Sequence, residues 1–386
     1  MTGALEGVVV ADFSRVLAGP YGTMLLADLG ADVVKVERPG AGDDTRHWGP
    51  PYDADGRATY FESVNRNKRS VALDLRSPEG LAAARALALR ADVVVENFVP
   101  GTMDRLGLGY EALRAENPGL VYASISGFGL DGGAELPGYD LLVQAVGGLM
   151  SITGPAPGDP TKVGVAMVDV LTGLHLTVGV LAALRHRERT GEGQRVDATL
   201  LTSLLSALVN QASGYLGAGA VPGILGNAHP SIAPYESYQT ADRLMVLAVG
   251  NDKQFRALAT VLGTPELADD ERFGTNPARV AHRHELNGTL APLLRTRGAD
   301  EWWKVLAAAG VPCGPVNDLA DAFRLATDLG LRPVVEVDGP GRSAPSRQVA
   351  FPAALSATPA TYRLAPPALG EHTDDVLADL AEPAAG

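Results

Sequence analysis

The first 126 residues alternate between short apolar runs and longer segments with helical patterning, and this alternation restricts the fold more than any other feature of the sequence. The predicted strands are residues 7–13, 31–39, 68–75, 91–98 and 119–126, and the clearest helices between them are residues 20–30 and 77–91. Strands separated by helices of this length indicate βαβ units and a mostly parallel sheet. Ligands of such sheets bind at the carboxyl ends of the strands.

The remainder of the 386 residues changes in texture, which favours more than one domain. From residue 164 to about 220 the pattern is helical and apolar, with a polar interruption at 185–194 in which Gly191 ends the preceding helix. Residues 229–252 predict a strand or hairpin, and short helices follow, as expected for a smaller second domain.

Several common classes of binding protein are disfavoured. The turn after the first strand reads DFSRVLAGPYG (12–22) and lacks the G-x-G-x-x-G spacing of dinucleotide-binding folds, and no Walker-type G-x-x-x-x-G-K-[ST] occurs. A net charge of −13 argues against a general nucleic-acid binder. No cysteine or histidine cluster has metal-ligand spacing, so no metal site is expected.

The single cysteine, Cys313, allows no intramolecular disulfide and fits a reducing compartment. The N-terminal residues lack the basic and apolar regions of a signal peptide. We therefore expect a cytoplasmic protein in which Cys313 is a partly buried structural thiol.

Basic side chains gather in the loops that follow the predicted strands. They are Arg38, Arg46, Arg66, Lys68, Arg69 and Arg105. In an acidic protein this placement indicates an anionic ligand at the binding edge of the sheet. The alternative is solvated loop charge that Glu37, Asp43, Asp44 and Asp104 balance, and spacing alone does not separate the two.

Residues 163–184, VGVAMVDVLTGLHLTVGVLAAL, hold one formal charge, Asp169, and one histidine, His175. The stretch is long enough to span a membrane, but a helix in a soluble core is the better interpretation because an intramembrane charge is costly. Asp169 is then either the N-cap of this helix or a nucleophile or base in a dry cleft. A buried carboxylate must be paired, hydrogen-bonded or neutralised, and both interpretations satisfy that requirement.

Longer segments resemble the class III CoA-transferase family, the group that includes formyl-CoA transferase and carnitine CoA-transferase. The segments are DFSRVLAGPYGTMLLADLGADVVKVERPGAGDDTR (12–46), NRNKRSVALDL (65–75), ADVVVENFVPGTMDRLGLGY (91–110), RTGEGQRVD (189–197), VPCGPV (311–316) and LGEHTDDVL (369–377). The resemblance covers nearly the whole chain and is far more specific than any single motif.

This resemblance implies an α/β fold, with a large Rossmann-like domain whose sheet is mostly parallel and a smaller α+β domain. The large domain would comprise residues 1–220 and 329–386, and the small domain residues 221–328. In the family, two subunits interlock as threaded rings, so the resemblance also implies an interlocked homodimer.

The resemblance also implies the chemistry. Acyl-CoA would bind between the domains, and Asp169 falls where the family carries the acyl group on an aspartate as a mixed anhydride. Coenzyme A is then a substrate, no tightly bound cofactor is expected, and the other partners are small carboxylic acids rather than nucleic acid or membrane. The CoA-binding positions that the resemblance implies are Ala18, Arg38, Leu73, Arg76, Asn97, Phe98, Arg105, Tyr139 and Asp140.

Two alternatives remain at this stage. A racemase branch shares the fold but places a histidine in a GHD stretch, where this chain reads GYD at 138–140, so Tyr139 favours transfer. His175 lies six residues after Asp169 and is expected to be a packed core histidine. A non-catalytic CoA-binding protein is the other alternative.

The acceptor side is less well specified. The loops 225–236 and 249–255 are the candidates to close over the site, and no four-glycine run marks a formate or oxalate enzyme. Asn227, His229 and Gly250 are therefore predicted acceptor-binding residues, and LGNAHPSIAPYE (225–236) resembles transferases acting on larger carboxylic acids. The sequence does not name the donor or the acceptor.

Overall fold

The computed structural model of the chain describes residues 3–382. Its strands are β1 (Val9–Asp12), β2 (Asp32–Glu37), β3 (Lys68–Ala72), β4 (Val93–Glu96), β5 (Val121–Ser126), β6 (Arg195–Thr199), β7 (Tyr235–Gln239), β8 (Leu244–Ala248), β9 (Cys313–Pro315), β10 (Val334–Val337) and β11 (Ser346–Val349). Its α-helices are α1 (Ala18–Asp28), α2 (Thr59–Glu62), α3 (Pro78–Arg90), α4 (Thr102–Arg105), α5 (Tyr110–Arg114), α6 (Asp140–Val146), α7 (Met167–Thr190), α8 (Leu200–Ala207), α9 (Val209–Ala218), α10 (Asp252–Val261), α11 (Asn276–Ala281), α12 (Arg283–Leu294), α13 (Ala299–Ala308), α14 (Leu319–Asp328) and α15 (Thr373–Ala381).

The main sheet has six strands in the order β3-β2-β1-β4-β5-β6, and every neighbouring pair is parallel. The predicted parallel sheet is therefore confirmed. This order reverses between β1 and β4, which is the switch point where doubly wound sheets bind their ligands. A ligand-binding site is therefore expected at the loops after β1 and β4.

Contacts divide the chain into two compact units. One holds the residues up to Leu149, Val163–Ala220 and the residues from Arg332 onward, and the other holds Met150–Lys162 and Val221–Leu331. The prediction divided the chain after residues 220 and 328, and the structure groups residues 150–162 with the smaller unit. In the larger unit, the parallel sheet is buried on both faces by two apolar clusters, which suits its run of valines.

The smaller unit is built on the three-stranded antiparallel sheet β7-β8-β9. The hairpin predicted within residues 229–252 is β7 and β8. Met245, Phe255 and Trp302 belong to the apolar core that α10, α12 and α13 complete. Cys313 lies half-buried in β9, and burial raises the pKa of its thiol to about 11, as expected for a structural thiol.

The segment from 164 to about 220 differs from its prediction in two respects. Its helix α7 ends, as predicted, at Gly191, which adopts φ +78°, but strand β6 follows before the helices resume. The predicted core position of His175 is wrong, because the residue is exposed on α7. By length and composition alone α7 could cross a membrane, and 44% of its most apolar window is buried within the chain.

Helix α7 packs directly against α1, and glycines make this close approach possible. A Cβ atom added to Gly173 would lie 2.5 Å from the carbonyl oxygen of Ala18, and one added to Gly22 would lie 3.0 Å from that of Gly173. Because such distances are shorter than van der Waals contact, only glycine lets the two backbones meet here. The contact fixes the first turns of α7 beside the loop that follows β1.

Candidate active site

Asp169 lies in the first turn of α7, after the N-cap residue Ala166, whose side chain makes no capping hydrogen bond. The interpretation of Asp169 as the N-cap is therefore wrong. Asp140, at the start of α6, takes that role from outside the helix. Its Oδ1 atom accepts hydrogen bonds from the backbone N–H groups of Val168 at 2.8 Å and Asp169 at 3.3 Å.

Asp140 is itself held in place by a buried glutamine. Gln144 Nε2 donates to Asp140 Oδ2 at 2.6 Å, and Gln144 Oε1 accepts from the backbone N–H of Val163 at 2.9 Å. Gln144 is fully buried, so its amide group is shielded from water. The arrangement fixes a carboxylate at the N-terminus of α7, in the position that favours a negative charge.

The carboxyl group of Asp169 has a different environment. Within residues 3–382 its oxygen atoms accept no hydrogen bond, although the side chain is partly buried. Burial first, and then the negative charge of Asp140, raise the pKa of Asp169 to about 7. A carboxyl group that lacks hydrogen-bond partners and faces a like charge is typical of functional sites rather than of structural ones.

The surroundings of Asp169 are apolar and include an aromatic side chain that sequence reasoning missed. Tyr60 and Val170 belong to a small apolar cluster around Leu17, Met24 and Val64. Burial, followed by the charges of Asp169 and Asp140, raises the pKa of Tyr60 to about 12. Tyr60 lies far from Asp169 along the chain, in no recognisable motif, so only the fold reveals this proximity.

A cavity of about 240 Å³ opens at the carboxyl ends of β1 to β4, next to the switch point. Four of the predicted CoA-binding residues line it: Arg38, Leu73, Arg76 and Phe98. Phe13 and Leu75 add apolar surface, and Arg15 adds a guanidinium that the sequence analysis did not single out. The cavity thus combines apolar walls with positive charge, which suits a nucleotide.

The other predicted CoA-binding residues are not among those that line this cavity. Asn97 uses its side-chain amide to bind the main chain of Arg15, accepting from its N–H at 2.9 Å and donating to its carbonyl at 2.7 Å. Arg105 donates to Thr102 Oγ1 at 2.9 Å. Ala18 is buried at the start of α1, and Tyr139 is 66% exposed just before α6.

Only some of the basic side chains in the loops after the strands are available to an anionic ligand. Four of them are engaged in ion pairs, Arg46 with Glu37, Arg66 with Asp28, Lys68 with Asp12 and Arg69 with Asp32. Lys68 and Arg66 are buried, so their charges stabilise the structure beneath the loops rather than face a ligand. Arg38 is exposed and, within residues 3–382, makes no ion pair or side-chain hydrogen bond, which leaves it available to an anion.

The three predicted acceptor-binding residues lie in the smaller unit. Asn227 donates to Ser237 Oγ at 2.9 Å, and the backbone N–H of Gly250 donates to Gln254 Oε1 at 2.8 Å. His229 Nδ1 accepts from the backbone N–H of Ser231 at 3.1 Å. These contacts shape the loops, and acceptor binding by the three residues stays a prediction.

Comparison with known proteins identifies the family. Residues 5–373 match the model of CoA-transferase family III. The succinate–glutarate CoA-transferase of Agrobacterium fabrum is 46% identical over 384 residues, covering 97% of this chain and 95% of that protein. The succinyl-CoA:glutarate CoA-transferase of Mus musculus is 42% identical over 380 residues, covering 97% and 86%.

A solved structure agrees with these matches. The crystal structure of a CAIB/BAIF family protein from Brucella suis has a TM-score of 0.89 and 43% sequence identity, and the alignment covers 98% of this chain and 100% of that one. The match extends over both units, the Asp169 segment and the cavity residues alike. The chain therefore belongs to CoA-transferase family III.

Proposed function

We propose that the protein moves CoA from an acyl-CoA donor to a carboxylic acid acceptor, with Asp169 as the residue that carries the acyl group. The observation that carries this proposal is the state of the Asp169 carboxyl group. It is partly buried, lacks hydrogen-bond partners within residues 3–382 and lies beside Asp140, so its negative charge is poorly stabilised. A carboxylate in such a position is a better nucleophile than a solvated one.

The reaction then proceeds by exchange of carboxylates. Asp169 attacks the thioester carbonyl of the donor, the C–S bond breaks, and the CoA thiolate leaves with the electron pair. The acceptor carboxylate attacks the aspartyl carbonyl of the resulting anhydride and releases the donor acid. Finally, the thiolate attacks the acceptor's acyl carbonyl, which yields the new thioester and regenerates the Asp169 carboxylate. Each intermediate is an activated acyl group, so water must be excluded, and the apolar cluster around Tyr60 supports that exclusion.

The cavity between the loops after β1 and β4 is the proposed site for the nucleotide part of CoA. Arg38 supplies a guanidinium that makes no ion pair within residues 3–382, and a guanidinium binds phosphate bidentately. Phe98 and Leu73 supply apolar surface for the adenine. Because the relatives reported above act on succinate and glutarate by name, we propose dicarboxylic acids as acceptors and succinyl-CoA as the first donor to test.

We also propose that two copies of the chain form a homodimer, interlocked as the family resemblance implies. Large apolar side chains are exposed on α7 and α9 of the single chain, among them Val178 at 65%, Tyr215 at 57% and Leu216 at 82%. Exposed apolar side chains of this size favour association with another chain when they form one surface. A second copy would also cover the exposed half of α7.

Substitution of Asp169 tests the proposed reaction. Asp169→Asn keeps the shape of the side chain but removes the nucleophile, so we expect transfer from succinyl-CoA to glutarate to fall at least about a thousandfold. Binding of free CoA, measured by calorimetry, should change little because the cavity lies on other elements. A variant that retains full transfer activity would overturn the assignment.

Two further measurements on the wild-type chain test the alternative functions. A racemase would exchange the α-proton of a 2-methylacyl-CoA for deuterium with no acceptor acid present, and we expect no such exchange. A non-catalytic binding protein would bind CoA yet show no transfer in the wild-type chain with any dicarboxylic acid. Glu116→Gln is the matched control for Asp169→Asn, because it also converts a carboxylate to an amide but alters only an exposed ion pair with Arg85. Its transfer activity should equal that of the wild type.

A further inference from the structure

The loop that follows β1 presents a third guanidinium, that of Arg15, to the proposed nucleotide cavity. Arg15 lines the cavity together with Arg38 and Arg76, and its side chain is 48% exposed. Its guanidinium lies over the ring of Phe98, 5.5 Å from the centroid, and forms an ion pair with Asp44 at 3.2 Å. Asp44 is itself 47% exposed, so the pair lies in solvent and is weak.

The backbone of Arg15 is held much more firmly than its side chain. The amide of Asn97 binds both the N–H and the carbonyl of Arg15, which ties the loop after β1 to the loop after β4. The next residue, Val16, adopts φ +69°, a conformation that β-branched residues rarely occupy, and its N–H donates to the carboxylate of Asp43. A firmly placed backbone with a loosely paired guanidinium is the arrangement expected of a ligand-binding arginine.

The remaining charges of the cavity leave it positive. Asp43 is paired with the buried Lys35, and Glu37 is paired with Arg46, so neither carboxylate offsets the exposed guanidinium groups. Arg76 is 80% exposed and lies 3.5 Å from Asp74, which is a loose contact. The carboxylate of Asp44, 3.2 Å from the Arg15 guanidinium, would therefore compete with an anion that binds to Arg15 from the cavity.

We propose that Arg15 is a phosphate-binding residue that exchanges Asp44 for a phosphate group of CoA when the substrate binds. The proposal rests on the proposed function, because it takes the cavity to be the CoA nucleotide site. The guanidinium stays over Phe98 and turns from one anion to another. CoA carries two such groups, the 3′-phosphate and the pyrophosphate. A guanidinium binds either one through the same charge-assisted hydrogen bonds.

Binding measurements on the full-length chain test this proposal. The ligands are CoA, 3′-dephospho-CoA and pantetheine, and the variants are Arg15→Ala and Asp44→Asn. We expect Arg15→Ala to weaken CoA about tenfold, since it removes a charge-assisted hydrogen bond while the main-chain contacts to Asn97 persist. Asp44→Asn should tighten CoA about two- to threefold, because the competing carboxylate is lost. Arg85→Ala, which breaks an exposed ion pair with Glu116, should leave CoA binding unchanged.

The outcomes are distinct. If Arg15→Ala loses affinity for CoA but not for 3′-dephospho-CoA, the 3′-phosphate binds at Arg15. If it loses affinity equally for both ligands, the pyrophosphate binds there. Pantetheine has neither group, so its affinity should be the same for all variants. Equal binding of CoA by Arg15→Ala and the wild type overturns the proposal. If the wild type does not bind CoA at all, the proposed function fails instead. Far-UV circular dichroism of each variant shows that it is folded.

Discussion

At the scale of single residues, the protein combines two neighbouring carboxyl groups that have opposite tasks. Asp140 caps α7 through the N–H groups of Val168 and Asp169, and Gln144 holds it there. Among the residues that the structure describes, none donates a hydrogen bond to the carboxyl group of Asp169, and its pKa is raised to about 7 by burial and by Asp140. Two adjacent carboxyl groups whose environments differ in this way are common in active sites, which supports the proposed role of Asp169.

This difference predicts a pH dependence. In the proposed mechanism only the carboxylate form of Asp169 attacks, so the rate of transfer should rise as the pH increases to about 7 and then level off. Asp140→Asn keeps an acceptor for the N–H of Val168 but removes the like charge, so it should move the rising limb to lower pH. The measurement is kcat/KM for the donor between pH 5 and 9. Glu116→Gln should leave the rising limb at the same pH as in the wild type. A rising limb that stays at the same pH in Asp140→Asn would contradict this account.

The same residues show how far sequence reasoning reaches. Asp169 stood out because it is the single charge in an apolar run, and the resemblance to a family assigned its role. Its raised pKa was not predictable, because it arises from burial in the folded chain and from Asp140, which lies 29 positions earlier in the sequence. Tyr60 and the cap provided by Asp140 were missed for the same reason, since their contacts join segments that are remote in sequence.

At the scale of elements, the active site depends on how closely α1 and α7 approach each other. Both helices were predicted from periodicity and from Gly191 at the end of α7. Their pairing was not, because Gly22 and Gly173 look like ordinary helix-weakening glycines in the sequence. Strand β6 was also missed, since RVDAT alternates charged and small residues and lies at the edge of the sheet.

Gly173→Ala should test this contact. The added Cβ would lie 2.5 Å from the carbonyl oxygen of Ala18, so a backbone must move. Overpacking of this kind costs about 1–3 kcal/mol, more than the gain of up to about 1 kcal/mol from replacing glycine in a helix. We therefore expect the melting temperature to fall by about 2 °C or more.

A second glycine provides the control for that experiment. A Cβ on Gly288, in the middle of α12, would meet no atom of the described part of the chain within 4 Å. Gly288→Ala should therefore leave the melting temperature unchanged or raise it slightly, because it gains helix propensity without a clash. If both variants melt alike, the close approach of α1 and α7 is not what constrains Gly173.

At the scale of the whole molecule, the sheet has the doubly wound strand order, and the proposed nucleotide cavity lies next to the point where that order reverses. Alternating strands and helices predicted the sheet, but they did not predict which charges would be buried. Lys68 and Arg66 were interpreted either as ligand-binding residues or as solvated loop charge, yet they pair with Asp12 and Asp28 inside the structure. His175, expected in the core, lies on an exposed apolar face of α7 instead.

That apolar face predicts the oligomeric state. A glutamate at position 178 would place a charge in the proposed interface, so Val178→Glu should shift the protein from dimer to monomer or to aggregates. Ala82→Glu, on the exposed side of α3, adds the same charge elsewhere and should leave a dimer. Size-exclusion chromatography with light scattering measures both variants. A wild-type chain that is monomeric at micromolar concentration would contradict the proposed dimer.

The most direct test of the central claim follows the oxygen atoms. An acceptor acid labelled with oxygen-18 in its carboxyl groups attacks the aspartyl carbonyl, and release of the new thioester leaves one labelled atom on Asp169. We therefore predict that, after turnover with succinyl-CoA and labelled glutarate, mass spectrometry of the peptide containing Asp169 shows oxygen-18 in that side chain. An unlabelled peptide from a protein that has formed glutaryl-CoA would show that the acyl group never passed through Asp169.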